Sequence, residues 1–229
     1  MNVALAFSGG KDSWACLWLN SDFLNDITVV WVNTGKNYPE LLESVALAKS
    51  ICPNFVEVKS NKDLQNSLYG LPADVVPIRF TKFGQSQSGN KPITIQPYIS
   101  CCYENIALPL MNFCKDNGIT TLIRGQRLDE GHKSTATDGS IVDGITFSQP
   151  IETWTSEEVI RFVEVHMDIP DHFRFKHSSM DCYDCTAYKS ETSDVRGYAE
   201  TTHPKLFAEY KLKDDAIKTV VLDSIKEYL

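Results

Sequence analysis

Long apolar runs are missing from this chain of 229 residues, and so is any excess of positive charge. None of its apolar runs approaches the roughly 18 residues that cross a bilayer, and the first residues hold no basic segment followed by an apolar stretch. We therefore expect a cytoplasmic protein without a membrane partner. Because 30 Asp and Glu outnumber 22 Lys and Arg, a global positive field for nucleic acid is excluded, whereas a local basic groove is not.

A disulfide framework is not expected either, because the seven cysteines come without a secretory signal and are therefore read as reduced thiols. Cys101 and Cys102 are adjacent, and Cys182 and Cys185 form a Cys-x-x-Cys pair. Four thiolates from two close pairs suit a four-sulfur site for either Zn²⁺ or an iron–sulfur cluster. The other three cysteines are expected to be small core residues of predicted helices: Cys16, Cys52 and Cys114.

Short apolar strands alternate with helical patterns at the start of the chain. Strands are predicted at 2–7, 27–32 and 55–58, and helices at 13–20 and 40–51, with Pro39 as a first helical residue. Such alternation predicts right-handed βαβ units. The predicted fold class is therefore α/β, a twisted and mostly parallel sheet flanked by helices.

The rest of the chain is less regular. Residues 70–96 and 129–148 are predicted to be loops, because they are rich in turn-forming residues and have no sustained period. A helix is predicted at 106–117 and a strand at 120–123. Thr155 and Glu158 have the spacing of a capping box that starts a helix running to about His166. A last amphipathic helix is predicted at 214–228.

The first strand runs into a glycine loop, Ser8-Gly9-Gly10-Lys11-Asp12-Ser13, which opens the first helix. Adjacent glycines let the backbone amides approach an anion, the helix N-terminus adds partial positive charge, and Ser8, Lys11 and Ser13 add donors. The loop is therefore predicted to bind phosphate or sulfate. It is not a Walker A loop, whose Lys is followed by Ser or Thr. Asp12 has two equal interpretations, a Mg²⁺ ligand beside a triphosphate or a helix cap.

SGGKDS after a first strand resembles the PP-loop of the adenine nucleotide α-hydrolase superfamily, which binds ATP or a sulfonucleotide. The Cys-Cys pair, followed after 79 residues by Cys-x-x-Cys, resembles the [4Fe-4S] ligand set of adenylyl-sulfate reductases in the PAPS reductase family. Further resemblances to that family lie at residues 124–127 (RGQR), 149–155 (QPIETWT) and 194–198 (DVRGY).

The resemblance implies a PP-loop nucleotide-binding and cluster-binding domain at 1–198 and a C-terminal helical tail at 199–229. It implies a [4Fe-4S] cluster on Cys101, Cys102, Cys182 and Cys185, with Lys11, Arg124 and Arg127 as catalytic candidates. The residues expected to bind the nucleotide lie at the glycine loop, at the second strand's end and on the family motifs: Ser8, Gly9, Gly10, Lys11, Asp12, Ser13, Thr34, Gly35, Arg124, Gly125, Arg127 and Arg196.

Three functions stay open at this stage. The first is a reductase-like enzyme that binds adenylyl sulfate (APS) or its 3′-phosphorylated form (PAPS) and uses the cluster in sulfur chemistry. Its family attacks sulfur with a C-terminal cysteine, whereas no cysteine follows Cys185 among these residues. The second is an ATP pyrophosphatase that adenylylates an acceptor for sulfur insertion, with Mg²⁺, as in tRNA or DNA thiolation. The third is a non-catalytic nucleotide- and cluster-binding module. A thiol reductant, a sulfur donor protein or a second copy of the chain are the partners considered.

Overall fold

The computed structural model describes residues 2–89, 92–130, 136–175 and 180–226. Its strands are β1 (Val3–Ala6), β2 (Ile27–Asn33), β3 (Phe55–Lys59), β4 (Leu71–Ala73), β5 (Ile95–Pro97), β6 (Thr121–Ile123), β7 (Ile141–Val142) and β8 (Ile145–Ser148). Its α-helices are α1 (Lys11–Leu19), α2 (Pro39–Ile51), α3 (Lys62–Tyr69), α4 (Lys82–Ser88), α5 (Tyr98–Cys102), α6 (Leu108–Asp116), α7 (Ser156–His166), α8 (Ser193–Thr202) and α9 (Pro204–Ile225). Short 3₁₀ turns lie at Ser21–Phe23, Ile78–Phe80 and Asp171–Arg174, and a π-helical turn at Tyr103–Ala107.

The chain forms two compact units that are interleaved in sequence. The first unit contains residues 1–33, 37–59 and 109–181, and the second contains 34–36, 60–108 and 182–229. The division at residue 198 stays a prediction, and that position lies inside α8.

The first unit is built on a six-stranded sheet in the order β3-β2-β1-β6-β8-β7. All neighbours pair in parallel except β7, which is antiparallel to β8. Strand β2 is buried from Val29 to Val32, as its continuous apolar run requires in a sheet covered on both faces. The predicted α/β fold with a mostly parallel sheet is therefore confirmed.

The strand order reverses between β1 and β6, which are parallel neighbours although they lie far apart in the chain. From β1 the chain proceeds to β2 and β3 on one side, while β6 occupies the other side. The glycine loop follows β1, and residues 124–127 follow β6. Open α/β sheets bind ligands at the carboxyl ends of strands where the order reverses. The topology thus brings two predicted motifs to the edge where a ligand is expected.

Local signals explain the helices of this unit. Pro39 is the first residue of α2, where its missing N–H is no loss. The capping box of α7 is confirmed, because Thr155 Oγ1 accepts from Glu158 N and Glu158 Oε2 accepts from Thr155 N. Three cysteines are fully or almost fully buried, in agreement with their predicted core positions: Cys16, Cys52 and Cys114.

The second unit contains a two-stranded parallel sheet, β4 beside β5, and the longest described helix, α9. Ile217 and Val220 of α9 share a buried cluster with Ala73, Phe80 and Ile95. In the described ranges, no helix combines the length and the apolar character that crossing a membrane requires.

Three boundary predictions were wrong. Residues 70–96 form β4, α4 and β5 rather than one loop, and 129–148 includes β7 and β8. The missed strands have two to four residues, too few for an alternating pattern to show, and β4 and β5 each contain a proline. Helix α9 begins at Pro204 instead of Asp214, and a proline at the first helical position was the signal for that start.

Candidate functional site

Gly9 has a structural reason to be glycine. Its φ is +78°, and a Cβ there would lie 2.5 Å from Leu41 Cδ1 of α2. Ser44 Oγ donates to the Gly9 carbonyl at 2.7 Å, and Trp14 Nε1 donates to Ser44 Oγ at 2.7 Å. The turn of the loop is therefore fixed from below by α1 and α2.

Gly10, in contrast, is not required by its neighbours. Its φ is −84°, which any residue adopts, and the nearest described atom to an added Cβ is Ser8 Oγ at 3.8 Å. Gly10 caps α1, and Ser13 Oγ donates to its carbonyl at 2.8 Å. The missing side chain leaves open space beside the helix N-terminus, where backbone amides and partial positive charge attract an anion.

Arg127 is buried and its guanidinium contacts three carboxylates. Its Nε lies 2.5 Å from Asp12 Oδ1, its Nη1 donates to Asp129 Oδ1, and its Nη2 lies 3.8 Å from Glu130 Oε1. Lys11 Nζ lies 3.3 Å from the other oxygen of Asp12. These ion pairs hold the loop after β6 against the first turn of α1. In this structure the guanidinium of Arg127 is paired with carboxylates, and its predicted contact with a sulfate or phosphate stays a prediction.

The turn between the two arginines packs closely on the glycine loop. A Cβ on Gly125 would lie 2.7 Å from the carbonyl carbon and oxygen of Asp12, so only glycine fits there. Arg124 Nη2 donates to Gln126 Oε1 at 3.0 Å, and its guanidinium lies 5.1 Å from the centre of the Phe147 ring. Burial lowers the pKa of Arg124. The predicted motifs of residues 8–13 and 124–127 are thus in direct contact.

No pattern in the sequence distinguishes Glu130 as a functional group. Burial raises its pKa to about 7, with a further increase from Asp12, while Arg127 and Lys11 oppose the rise. Gln126 Nε2 donates to Glu130 Oε2 at 2.5 Å. A carboxyl beside the glycine loop therefore changes charge near neutral pH.

All four cysteines of the predicted ligand set lie in the second unit. Cys101 and Cys102 end α5 and are followed by the π-helical turn, a feature frequent at functional sites. Asn105 of that turn donates to the Cys101 carbonyl at 2.9 Å and lies 3.6 Å from its sulfur. Residues 182–185 form a tight turn in which Cys185 N donates to the Cys182 carbonyl at 3.1 Å.

The four sulfurs lie close enough to affect one another's ionisation. Burial raises the pKa of Cys101 to about 12; Lys62 opposes this rise, and the other three cysteines add to it. Among the described residues, no three His, Cys, Asp or Glu side chains form a group that could hold a metal ion. Four cysteine thiols are the donor set of a structural zinc site and also of a [4Fe-4S] cluster. In kind and number, this donor set of four thiols fits the cluster.

Other predicted binding residues also lie near the cysteines. Thr34 Oγ1 lies 3.7 Å from Cys182 Sγ, and Gly35 follows it in the second unit with a φ of +77°. Arg196 Nη2 donates to the Ala187 carbonyl at 2.8 Å and stacks 4.9 Å above the Tyr210 ring. Within its own unit, Arg196 therefore fastens the chain just after the Cys-x-x-Cys turn, and its predicted contact with a nucleotide stays a prediction.

A buried ionic network, which sequence reasoning missed, passes through the Cys-x-x-Cys turn. Asp184 is 1% exposed, and its two oxygens contact Lys62 and Lys213. Burial opposes the charge of Lys62, which is 2% exposed, but Cys182, Asp184 and Cys185 outweigh it and hold the pKa of Lys62 above its usual value. An acidic residue between two cysteines was the available signal, but nothing in the sequence named its partners.

Comparison with known proteins shows the family of this chain. The model of the phosphoadenosine phosphosulfate reductase domain matches residues 2–188, which include the glycine loop and all four cysteines. One similar solved structure is the phosphate complex of a phosphoadenylyl-sulfate (PAPS) reductase from Candida auris, at 15% identity and a TM-score of 0.46, covering 72% of this chain and 73% of that one. No curated protein matches the chain. Since the family model spans most of its length, the chain belongs to the phosphoadenosine phosphosulfate reductase domain family.

Proposed function

We propose that this protein is an enzyme that binds an adenylyl nucleotide of the APS or PAPS type and uses a [4Fe-4S] cluster in sulfur chemistry. Family membership indicates an enzyme of the reductase kind. One observation carries the finer proposal: two cysteine pairs separated by 79 residues belong to one compact unit, in which Cys102 Sγ lies 3.6 Å from the hydroxyl of Tyr188, three residues after Cys185. Such convergence is not expected of unrelated core thiols.

The glycine loop is the proposed anion site. Its open space at Gly10 admits a phosphate or sulfate oxygen to the backbone amides at the start of α1. Lys11 supplies a positive charge at the first helical position, and Arg124 lies on the loop after the neighbouring strand β6. These residues would bind and orient the anionic part of the nucleotide.

Cys101, Cys102, Cys182 and Cys185 would hold the cluster. When bound, a [4Fe-4S] cluster would orient a sulfate or a sulfur donor, and the positive charge that polarises a sulfate would come from the lysine beside it. The chain's own contribution is to keep four thiols together, with Lys62 as a buried cation among them.

The reductive step uses two thiols, which a thiol reductant or a sulfur donor protein would supply. A thiolate attacks the sulfate sulfur, the bond from sulfur to the nucleotide's phosphate oxygen breaks, and the adenosine phosphate leaves. A second thiol then attacks the resulting thiosulfonate, which releases sulfite and a disulfide. Two thiols are thereby oxidised while the sulfur is reduced by two electrons.

A second candidate, ATP cleavage to AMP and pyrophosphate, is favoured by Asp12. This carboxylate lies in the first turn of α1 beside Lys11, and carboxylate oxygens are ligands that Mg²⁺ accepts. The enzyme would then adenylylate an acceptor for sulfur insertion. Binding without turnover would make the chain a non-catalytic module.

The test is anaerobic turnover of cluster-loaded full-length protein offered APS, PAPS or ATP with Mg²⁺ and a thiol reductant. We expect sulfite with AMP or its 3′-phosphate, and loss of that product in Cys182→Ser but not in the matched Cys52→Ser variant. Pyrophosphate from ATP without sulfite would replace the proposal with the second candidate. Tight binding without any product would leave only the binding module.

A further inference from the structure

Helix α9 contacts the segment that carries Cys182 and Cys185 through charged and polar side chains. Glu209 Oε2 accepts from Tyr183 Oη at 2.8 Å, and Lys213 contacts Asp184. Asp214 Oδ1 lies 2.5 Å from Lys189 Nζ. Glu209 and Lys213 are four residues apart and lie on one face of α9, which contacts the turn, while the adjacent Asp214 contacts Lys189 just after it.

Asp184 connects helix α9 to helix α3. One of its oxygens contacts Lys213 of α9 and the other contacts Lys62, the first residue of α3. Lys62 and the Asp184 side chain are almost completely buried, whereas the Lys213 side chain is 25% exposed. A buried carboxylate without partners is strongly destabilised, so both lysines are needed to keep Asp184 in place.

We propose that Lys62, Asp184 and Lys213 form an ionic clamp that positions the Cys-x-x-Cys turn for cluster binding. Asp184 is the positioning residue: it lies between the two cysteines, and its fixed carboxylate restricts the backbone of the turn. Helix α9 therefore contributes to the cysteine site by supplying Lys213, which holds Asp184 in place. This inference rests on the proposed cluster, but the ordering of the turn can be measured without it.

The clamp also has the right charge balance. The exposed Asp63 lies 3.9 Å from Lys213 but also pairs with Lys36, so Lys62, Lys213 and Asp184 still leave net positive charge beside four sulfurs. A [4Fe-4S] cluster with four thiolates is an anion. Lys62 interacts with Cys182 and Cys185, whereas Lys213 is farther toward solvent. Loss of Lys62 is therefore expected to weaken cluster retention more than loss of Lys213.

The test compares Asp184→Asn with Asp215→Asn, a matched change on an exposed α9 carboxylate paired with Lys211. Alkylation rates of Cys182 and Cys185 are measured by peptide mass spectrometry in the metal-free full chain. Iron and sulfide content are measured after anaerobic reconstitution, together with the rate of cluster loss to a chelator. Circular dichroism establishes that each variant is folded.

We expect Asp184→Asn to raise alkylation of both cysteines and to weaken iron retention about 10-fold to 100-fold, as loss of groups that orient metal ligands does. Asp215→Asn is expected to match the wild type in both measurements. If Asp184→Asn does not fold, Lys213→Met keeps the Lys62 partner and is expected to show the same changes at smaller size. Wild-type alkylation and retention in these folded variants would overturn the clamp. Faster alkylation in a chain whose wild type takes up no iron would support the clamp and reject the proposed cluster.

Discussion

The two charged clusters of this protein have opposite balances. In the first unit, Arg127 meets three carboxylates, those of Asp12, Asp129 and Glu130. In the second unit, Lys62 and Lys213 both contact the carboxylate of Asp184, and Lys213 also lies 3.9 Å from the exposed Asp63. The acidic excess is relieved by a carboxyl that titrates near neutrality, because burial raises the pKa of Glu130 to about 7. The basic excess instead stands beside four thiols, as a site for an anionic cluster requires.

Buried charge therefore has a different structural role in each of the two regions. Around the glycine loop, the charges hold two strand-end loops together and leave the space at Gly10 for an anion. Around the cysteines, the charges hold the Cys-x-x-Cys turn, and they would compensate the charge of the proposed cluster. Both tasks follow from the general rule that a buried charge needs a partner.

The largest expected effect removes a sulfur from the second region. Cys182→Ser should reduce bound iron about tenfold or more, since [4Fe-4S] clusters are held by four cysteines. Iron and acid-labile sulfide per chain are the measurement. Cys52→Ser, which removes a buried thiol outside the set, should keep the wild-type content, and equal losses in both variants would contradict the assignment.

Removing the cation of the first region should cost stability. Arg127→Met leaves three carboxylates without their shared partner and is expected to lower the free energy of unfolding by about 2 kcal/mol, less than a fully buried pair because the carboxylates are partly exposed. Urea unfolding measures this. Lys115→Met, which breaks the exposed pair with Asp143, should change stability by less than about 1 kcal/mol. Similar values for the two variants would refute the buried role of Arg127.

The two glycines of the loop should separate folding from binding. Gly9→Ala meets a positive φ and Leu41, so we expect it to lower the free energy of unfolding by about 1–3 kcal/mol. Gly10→Ala fits the backbone and should leave stability within about 1 kcal/mol while weakening APS binding. Thermal unfolding and calorimetric titration test this pair. Unchanged APS binding by Gly10→Ala would contradict an anion site beside Gly10.

The smallest expected effect is a pH dependence in the first region. Because the pKa of folded Glu130, about 7, lies above its ordinary value, its contribution to stability is present at low pH and is lost as pH rises through 7. Wild-type stability should therefore fall relative to that of Glu130→Gln between about pH 4.5 and about pH 7. Parallel stability curves for the two proteins would contradict the buried carboxyl.

Sequence reasoning predicted the elements whose signals are local. Continuous apolar strands, Pro39 and the Thr155 capping box each act within a few residues, and these elements lie close to where they were expected. Strands β4 and β5 escaped because three residues cannot show a period, and their pairing with one another joins positions far apart in the chain.

For the site, spacing identified the residue types but not their partners. The cysteines stood out as pairs, whereas the contact of Lys62 with Asp184 joins residues 122 positions apart and left no pattern. Gly125 was expected to bind the nucleotide. Its close packing on Asp12, which leaves no room for a side chain, could be found only from the coordinates. The expected contact of Arg127 with an anionic ligand stays a prediction, and its pairing with Asp12 left no pattern in the sequence.

The most direct test of the proposed [4Fe-4S] cluster is the metal and sulfide content of anaerobically purified protein, measured together with its absorption spectrum. We expect a brown protein with about four iron and four sulfide per chain, bound through Cys101, Cys102, Cys182 and Cys185. Colourless protein with stoichiometric zinc would contradict it.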